Sequence, residues 1–370
     1  MTDLTITALH LWEVPLRSHE AYYMSDGKTC DEVKSVMMRM DTKSGLSGWG
    51  EVCCIPHYLP AYTDGVIPAL AHLESQIIGQ DAGHPEVLMS QINAYLQGHV
   101  YVKSIIDMAL HDVAAKAAGL PLYRYLGGNF GKPMPLYHSI TCIAPEEMKK
   151  IAIEERKKGM TQFQVKLGAD ANFEADIARL HMVREAVGDG PLVYGDWNCG
   201  ASSLEATRVG RAVRHLDVML EQPCATLIEC AKVRDATGLP IKLDEGAHDT
   251  ASLLEGHRAG AMDAAALKLS KFGGVSELRK ARDLCCTLGV KMCIEDTWGS
   301  DITTSAALHV GASTNPKWIM NVCDLSSYVS PKLDTSLPTR QDGHILPPDG
   351  LGLGVSPDLD KLGAASVIMD

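Results

Sequence analysis

After residue 133 the chain repeats itself in texture. Short apolar or β-branched runs return roughly every 23 to 30 residues: LYHSIT (136–141), FQVKL (163–167), LVYGDWN (192–198), VMLEQP (218–223), IKLDE (241–245), AALKLS (265–270), VKMCIED (290–296) and WIMNV (318–322). Between them lie amphipathic stretches such as PEEMKKIAIEERKKG and EADIARLHMVREAVG, most closed by a glycine able to end a helix. Eight such units predict a (β/α)8 (TIM-like) barrel of about 200 residues. A doubly wound sheet is the alternative, but it rarely sustains eight units so regularly.

The preceding segment reads differently. Residues 4–16, 33–40 and 45–54 are short β-rich runs parted by Gly, Asp and Ser, an antiparallel meander; 62–118 then turns helical and stops at Gly119 before Pro121. We therefore expect an α+β capping domain over 1–128, the barrel over 129–330, and a Pro/Gly-rich segment, 331–370, returning to the cap. A length of 370 residues fits one barrel plus one smaller unit.

Composition removes several function classes. The formal charge is −12 and the densest basic run is Arg156-Lys157-Lys158, so nucleic acid and anionic membranes are not expected partners. The opening MTDLTIT has neither a charged n-region nor an apolar h-region, and no run of about eighteen apolar residues occurs; a soluble, cytoplasmic protein is the expectation. Eleven cysteines show no CxxC spacing and read as reduced, mostly buried thiols. There is no HExxH or Gly-x-Ser-x-Gly, and GLGLG at 350–354 does not sit between a strand and a helix. His57 and His309 read most simply as surface and core histidines.

Barrel strands alternate their side chains between the interior and the helix layer, and active sites lie at strand C-termini. Period two places Gln164 and Lys166 toward the axis, Asp196 and Asn198 on one parity, Glu221 inward, Asp244 inward beside Lys242, and Lys268 inward. Three acids on consecutive strand ends repel unless a cation holds them. Oxygen donors of this number suit Mg2+, so Asp196, Glu221 and Asp244 are the candidate metal ligands. Lys166 and Lys268 come from strands two and six, across the barrel, and can reach opposite faces of a bound molecule as base and acid. Such parts suit removal of a proton α to a carboxylate through an enediolate: reprotonation from the far side inverts the carbon, and loss of a β-substituent gives dehydration. Lys242, a lone lysine along a strand, is expected to be solvated.

At these residues the chain resembles the enolase superfamily, in its muconate-lactonizing branch, through GWGE (48–51), YVKSIIDMALHD (101–112), EQP (221–223), the acid triad and ALKLSKFGG (266–274). The resemblance spans essentially the whole chain and implies a Mg2+-dependent enzyme on a small carboxylate, assembled as a homo-oligomer, often of eight subunits. Many members of that branch carry Lys-x-Lys on the second strand, where this chain has Gln164-Val-Lys166. VKSxxDMA, EQPC and EDTWG also resemble proline-betaine and hydroxyproline-betaine epimerases and cis-3-hydroxyproline dehydratases. The form with Trp298 is nearer the betaine epimerases, in which an aromatic face holds a quaternary ammonium; a second tryptophan they carry after the eighth strand corresponds to Cys323. The leading expectation is thus a racemase or epimerase of an amino-acid-derived carboxylate, with dehydration of a β-hydroxy amino acid or acid sugar as the alternative. Loops 18–29 and 52–60 are expected to close the mouth, with Tyr58 and Tyr22 lining it. Asp296 is expected to pair with a substrate ammonium or to cap a helix.

Overall fold

The protein is described here by a computed structural model covering residues 2–57, 59–170 and 172–370; Tyr58 lies outside the described residues. Strands β1 (Ile6–Ser18), β2 (Glu32–Thr42) and β3 (Ser47–Cys53) form the expected antiparallel meander. Successive side chains of β1 serve two cores, as period two dictates. Leu9 and Leu11 pack into the cap core, whereas Trp12, Val14 and Leu16, on the other parity, join the core shared with the barrel.

Helices α1 (Val66–Ile77), α2 (Pro85–Tyr95) and α3 (Val100–Ala117) follow, then the short α4 (Leu122–Tyr125). α3 is buried from Tyr101 to Ala115 because it is pressed between the cap sheet and the barrel. The glycines of GLSGWGE allow that contact: a Cβ on Gly48 or Gly50 would stand 2.2 Å from the Ala109 carbonyl oxygen or 2.0 Å from that of Ile105. Polar residues of the same motifs tie the cap to the barrel and to the final segment. Buried Asp107 accepts hydrogen bonds from the Ser276 N–H and hydroxyl, and Asp112 from the N–H groups of Trp49 and Leu353 and from Lys116. Glu51 accepts from both the N–H and the hydroxyl of Ser300 and of Thr303.

After β4 (Met134–Pro135) come the eight parallel strands: β5 (His138–Ile140), β6 (Gln162–Lys166), β7 (Leu192–Asp196), β8 (Val218–Glu221), β9 (Ile241–Leu243), β10 (Ala264–Lys268), β11 (Lys291–Glu295) and β12 (Ile319–Val322). Each pairs with its sequence neighbour, and a parallel bridge between Leu136 and Val322 joins the two ends, so the sheet curls into a barrel instead of remaining an open doubly wound sheet. The returning helices are α5 (Pro145–Lys157), α6 (Phe173–Val187), α7 (Ser203–Val213), α8 (Leu227–Thr237), α9 (Thr250–Arg258), the single turn α10 (Leu269–Phe272), α11 (Val275–Leu288) and α12 (Asp301–Ala312). Capping boxes at Ser202/Glu205 and Thr226/Glu229 start α7 and α8, and left-handed Gly238 and Gly289 end α8 and α11.

Beyond the barrel, β13 (Val329–Ser330) pairs with β1, β14 (His344–Ile345) pairs with β4, and after α13 (Leu359–Leu362) the last strand, β15 (Val367–Met369), pairs with β1 again. The chain's final segment thereby completes the cap sheet. Among the described residues, no helix is long and apolar enough to cross a membrane.

Candidate active site

Strand register brings the predicted acids to one level. Lys166 lies opposite Asp196, Asp196 opposite Glu221, and Glu221 opposite Lys242, with Asp244 following just past β9. All are buried. Gln164 Nε2 donates to Asp196 Oδ2 at 3.0 Å and to Glu221 Oε2 at 2.7 Å, so these two carboxylates converge on one point. Lys166 Nζ donates to Asp196 Oδ2 at 2.5 Å and to Asn198 Oδ1 at 3.0 Å. From across the barrel, Lys268 Nζ donates to Asp244 Oδ2 at 2.6 Å. Asn198, at φ +44°, ties this edge together: its N–H meets Asp196 Oδ1 and its Nδ2 meets Glu245 Oε1 at 3.2 Å.

Lys242 corrects the sequence expectation. It is completely buried, 2.8 Å from Glu221 Oε1, with its ammonium 4.7 Å from the centre of the Tyr194 ring and 5.5 Å from that of Tyr137. The contact is a buried ion pair. A strand inside a closed barrel has no solvent on its inner face below the mouth, which is why the lysine is not solvated. Lys271, one helical turn after Lys268, is a second cation that the sequence reading missed; it donates to Asp244 Oδ1 at 2.7 Å. The spacing in KLSK was its signal.

These neighbours set the charge states. Burial, with Asp196, Asp244 and Glu295 adding repulsion, pushes Glu221 up to about 7 against the pull of Lys242. Glu245 is pushed up to about 8 by burial and by Asp244 and Asp196. Burial works the same way on Asp244, but Lys268 and Lys271 outweigh it and hold that carboxyl far below the usual range. Among the described residues no three acid, imidazole or thiol side chains stand as a finished metal cage. The lysines take the charge-neutralising places that a cation would fill. The donor chemistry nevertheless fits Mg2+: the candidate ligands are carboxylates only, two of them already converge, and Glu245 Oε2 is buried beside them without a hydrogen-bond partner among the described residues.

Lys166, Gln164 and Lys268 line one cavity with Tyr22, Ser139, Glu295, Asp296 and Trp298. Its volume is only about 40 Å³, room for two or three waters. Tyr22, from the predicted loop 18–29, closes it; none of the described residues of 52–60 lines it. The Tyr22 hydroxyl bonds Ser139, whose hydroxyl donates to Gln164 Oε1, so a continuous chain runs from the cap loop to Asp196 and Glu221. Burial raises the Tyr22 phenol to about 12, keeping it a donor. Trp298 stands between Tyr22 and Tyr328, at centroid distances of 5.6 and 6.4 Å. Asp296 is not turned to a substrate alone. It accepts from the Ser270 N–H and hydroxyl and the Thr297 N–H, capping α10 just after Lys268, and burial raises it to about 6. Cys323 and Tyr137, the latter bonded to Glu295, complete the wall.

Two family models match this architecture: the mandelate racemase / muconate lactonizing enzyme N-terminal domain over residues 8–127, and the enolase C-terminal domain-like family over 147–361. The chain belongs to the mandelate racemase/muconate lactonizing enzyme branch of the enolase superfamily. It is therefore an enzyme of a family built for α-proton abstraction. A cis-3-hydroxy-L-proline dehydratase of Roseibium aggregatum is 38% identical over 97% of this chain and 98% of its own. An N-succinyl-L-Arg/Lys racemase of Bacillus cereus is 28% identical over 84% and 85%. An enolase-superfamily member from Roseovarius nubinhibens, crystallised with magnesium, superposes with a TM-score of 0.92 at 32% identity, covering 99% of both chains.

Proposed function

We propose that the protein dehydrates a cyclic β-hydroxy-α-amino acid of the cis-3-hydroxyproline type. The observation that carries this reading is the pair of amines, Lys166 and Lys268, four strands apart and bordering one cavity beside the acid cluster. In a cis-3-hydroxyproline the carboxylate and hydroxyl share one ring face, so the α-hydrogen and the hydroxyl lie on opposite faces. Elimination then needs a base on one side and an acid on the other. One lysine, as the free amine, takes the α-proton; the other, as the ammonium, protonates the departing hydroxyl. The products are water and a ring alkene that tautomerises to the cyclic imine.

Asp196, Glu221 and Asp244 would hold Mg2+, which when bound neutralises charge developing on the substrate carboxylate. Gln164 and Asn198 orient those acids and Lys166. Asp296 fixes the turn that carries Lys268. Tyr22 and Trp298 exclude water once the cap loop is down. The 38% relative supports dehydration over the inversion favoured by sequence alone. Epimerisation remains the second reading, because amines on both sides serve inversion equally well.

Proton NMR in D2O with Mg2+ and cis-3-hydroxy-L-proline tests the proposal. Disappearance of substrate with a trappable imine is the expected result. Deuterium at an inverted α-carbon without water loss would favour the epimerase, and unchanged, undeuterated substrate would refute both.

A further inference from the structure

Outside the wall formed by Tyr22, Trp298 and Tyr328 lies a second hollow, of about 390 Å³, bordered by Ser18, His19 and Glu20 of the cap loop, His138, Glu155 and Lys158, and Arg340 of the final segment. The inner cavity is far too small for an amino acid as it stands. The outer one falls within the range of about 300–1,000 Å³ typical of small-molecule sites.

Its floor is polar and incompletely bonded. Among the described residues, both ring nitrogens of His138 and Oε2 of Glu155 are buried without a hydrogen-bond partner. They are 3.6 Å apart at the nearest, beyond ordinary hydrogen-bond length, so they do not satisfy each other. Arg340 commits Nε and Nη2 to Asp324 and turns Nη1 toward the same Glu155 oxygen, 3.9 Å away. Burial pushes the His138 imidazole down to about 4, so it is neutral at physiological pH and offers one N–H and one lone pair. Burial raises Glu155, but the hydrogen bond from Lys158 and the charges around it win, and it remains a carboxylate. Orphaned polar atoms in a buried floor are uncommon in proteins and mark a place where a partner belongs.

We propose that this hollow is an outer binding site for a zwitterionic α-amino acid, which lodges there before passing the aromatic wall. Its ammonium would meet Glu155 Oε2, its carboxylate Arg340 Nη1 and the His138 N–H, and its aliphatic ring the outer faces of Tyr328 and Trp298. His138 also stacks on Tyr328, at 6.1 Å between ring centres, so occupancy outside bears on the wall of the inner cavity. The identity of the ligand class rests on the proposed function; the existence of the site does not.

L-Proline, which has no hydroxyl to lose, is the probe, titrated calorimetrically into Mg2+-free protein in EDTA. One proline per chain is expected, with affinity reduced at least tenfold, about 1.4 kcal/mol, in Glu155→Gln and in His138→Phe. His19→Trp, a change on the exposed cap loop that fills the hollow without disturbing its buried floor, should give the same loss. Absence of binding in EDTA, or equal affinity in the wild type and in His19→Trp, would overturn the proposal. Proline binding that responds to these variants in a protein that leaves cis-3-hydroxy-L-proline untouched would uphold the outer site while defeating the catalytic reading.

Discussion

Replacing Lys242 by methionine tests the electrostatic architecture beneath the acid cluster. Opposite unit charges 2.8 Å apart attract by about 6 kcal/mol at an effective dielectric of about 20. The two tyrosine rings beside the ammonium add roughly 0.5–2 kcal/mol. Releasing the lysine from burial offsets several kcal/mol of this, and what remains is the cost of stranding Glu221 as a buried, unpaired charge, about 3–5 kcal/mol. Methionine preserves most of the volume, so packing loss is small. Urea unfolding at pH 8 in EDTA should show Lys242→Met less stable by about that amount. Saturating Mg2+ should recover much of the loss, because a divalent cation at the acids replaces the missing charge. By linkage, Mg2+ should bind the variant more tightly than the wild type when titrated calorimetrically. A destabilisation under about 1 kcal/mol, or Mg2+ affinity equal to or weaker than wild type, would refute the view that Lys242 shares the neutralising role with the metal.

Lys166→Ala and Lys268→Ala should each lower dehydration about a thousandfold, read by imine trapping, while leaving Mg2+ binding measurable. Ser139→Ala leaves Gln164 Oε1 without its donor and frees the amide to turn its oxygen toward Asp196 and Glu221; activity should drop about tenfold, the equivalent of one hydrogen bond, and return with Ser139→Thr. Glu51→Ala orphans the Ser300 and Thr303 N–H groups, costing about 4 kcal/mol in chemical denaturation. His309 is fully buried, accepting from the Tyr123 N–H at Nδ1 and facing the Leu353 carbonyl through Nε2. Burial lowers its pKa from 6.5 to about 4. Its contribution is full above pH 6.5 and is lost as pH falls through about 4, roughly 3 kcal/mol, so His309→Gln should flatten the acid limb of a stability–pH profile.

The repeating strands, their inward parity and the acids at their ends were legible in the sequence because strand periodicity and barrel polarity are local rules. Lys166, Asp196, Glu221, Asp244 and Lys268 follow from counting by two along five short runs. The meander of the cap was legible for the same reason, and so were most glycine helix stops. Sequence alone also identified the family motifs without saying what they do. Only the docked cap showed that Glu51, Asp107 and Asp112 are stitches between two layers, since their partners lie far away along the chain.

Tertiary structure likewise decided the fate of isolated polar residues. Lys242 reads as a solvated charge until the barrel closes around it, and Asp296, read either as a partner for a substrate ammonium or as a helix cap, lines the cavity while also accepting from Ser270. Tyr22, expected at the mouth, finds its partner Ser139 only when the cap loop crosses the barrel. Backbone periodicity determines which way a side chain points, and that much is written residue by residue. What it points at, and whether water is there, depends on contacts between separate segments, such as Tyr22 with Ser139, 117 residues apart, which no local pattern encodes.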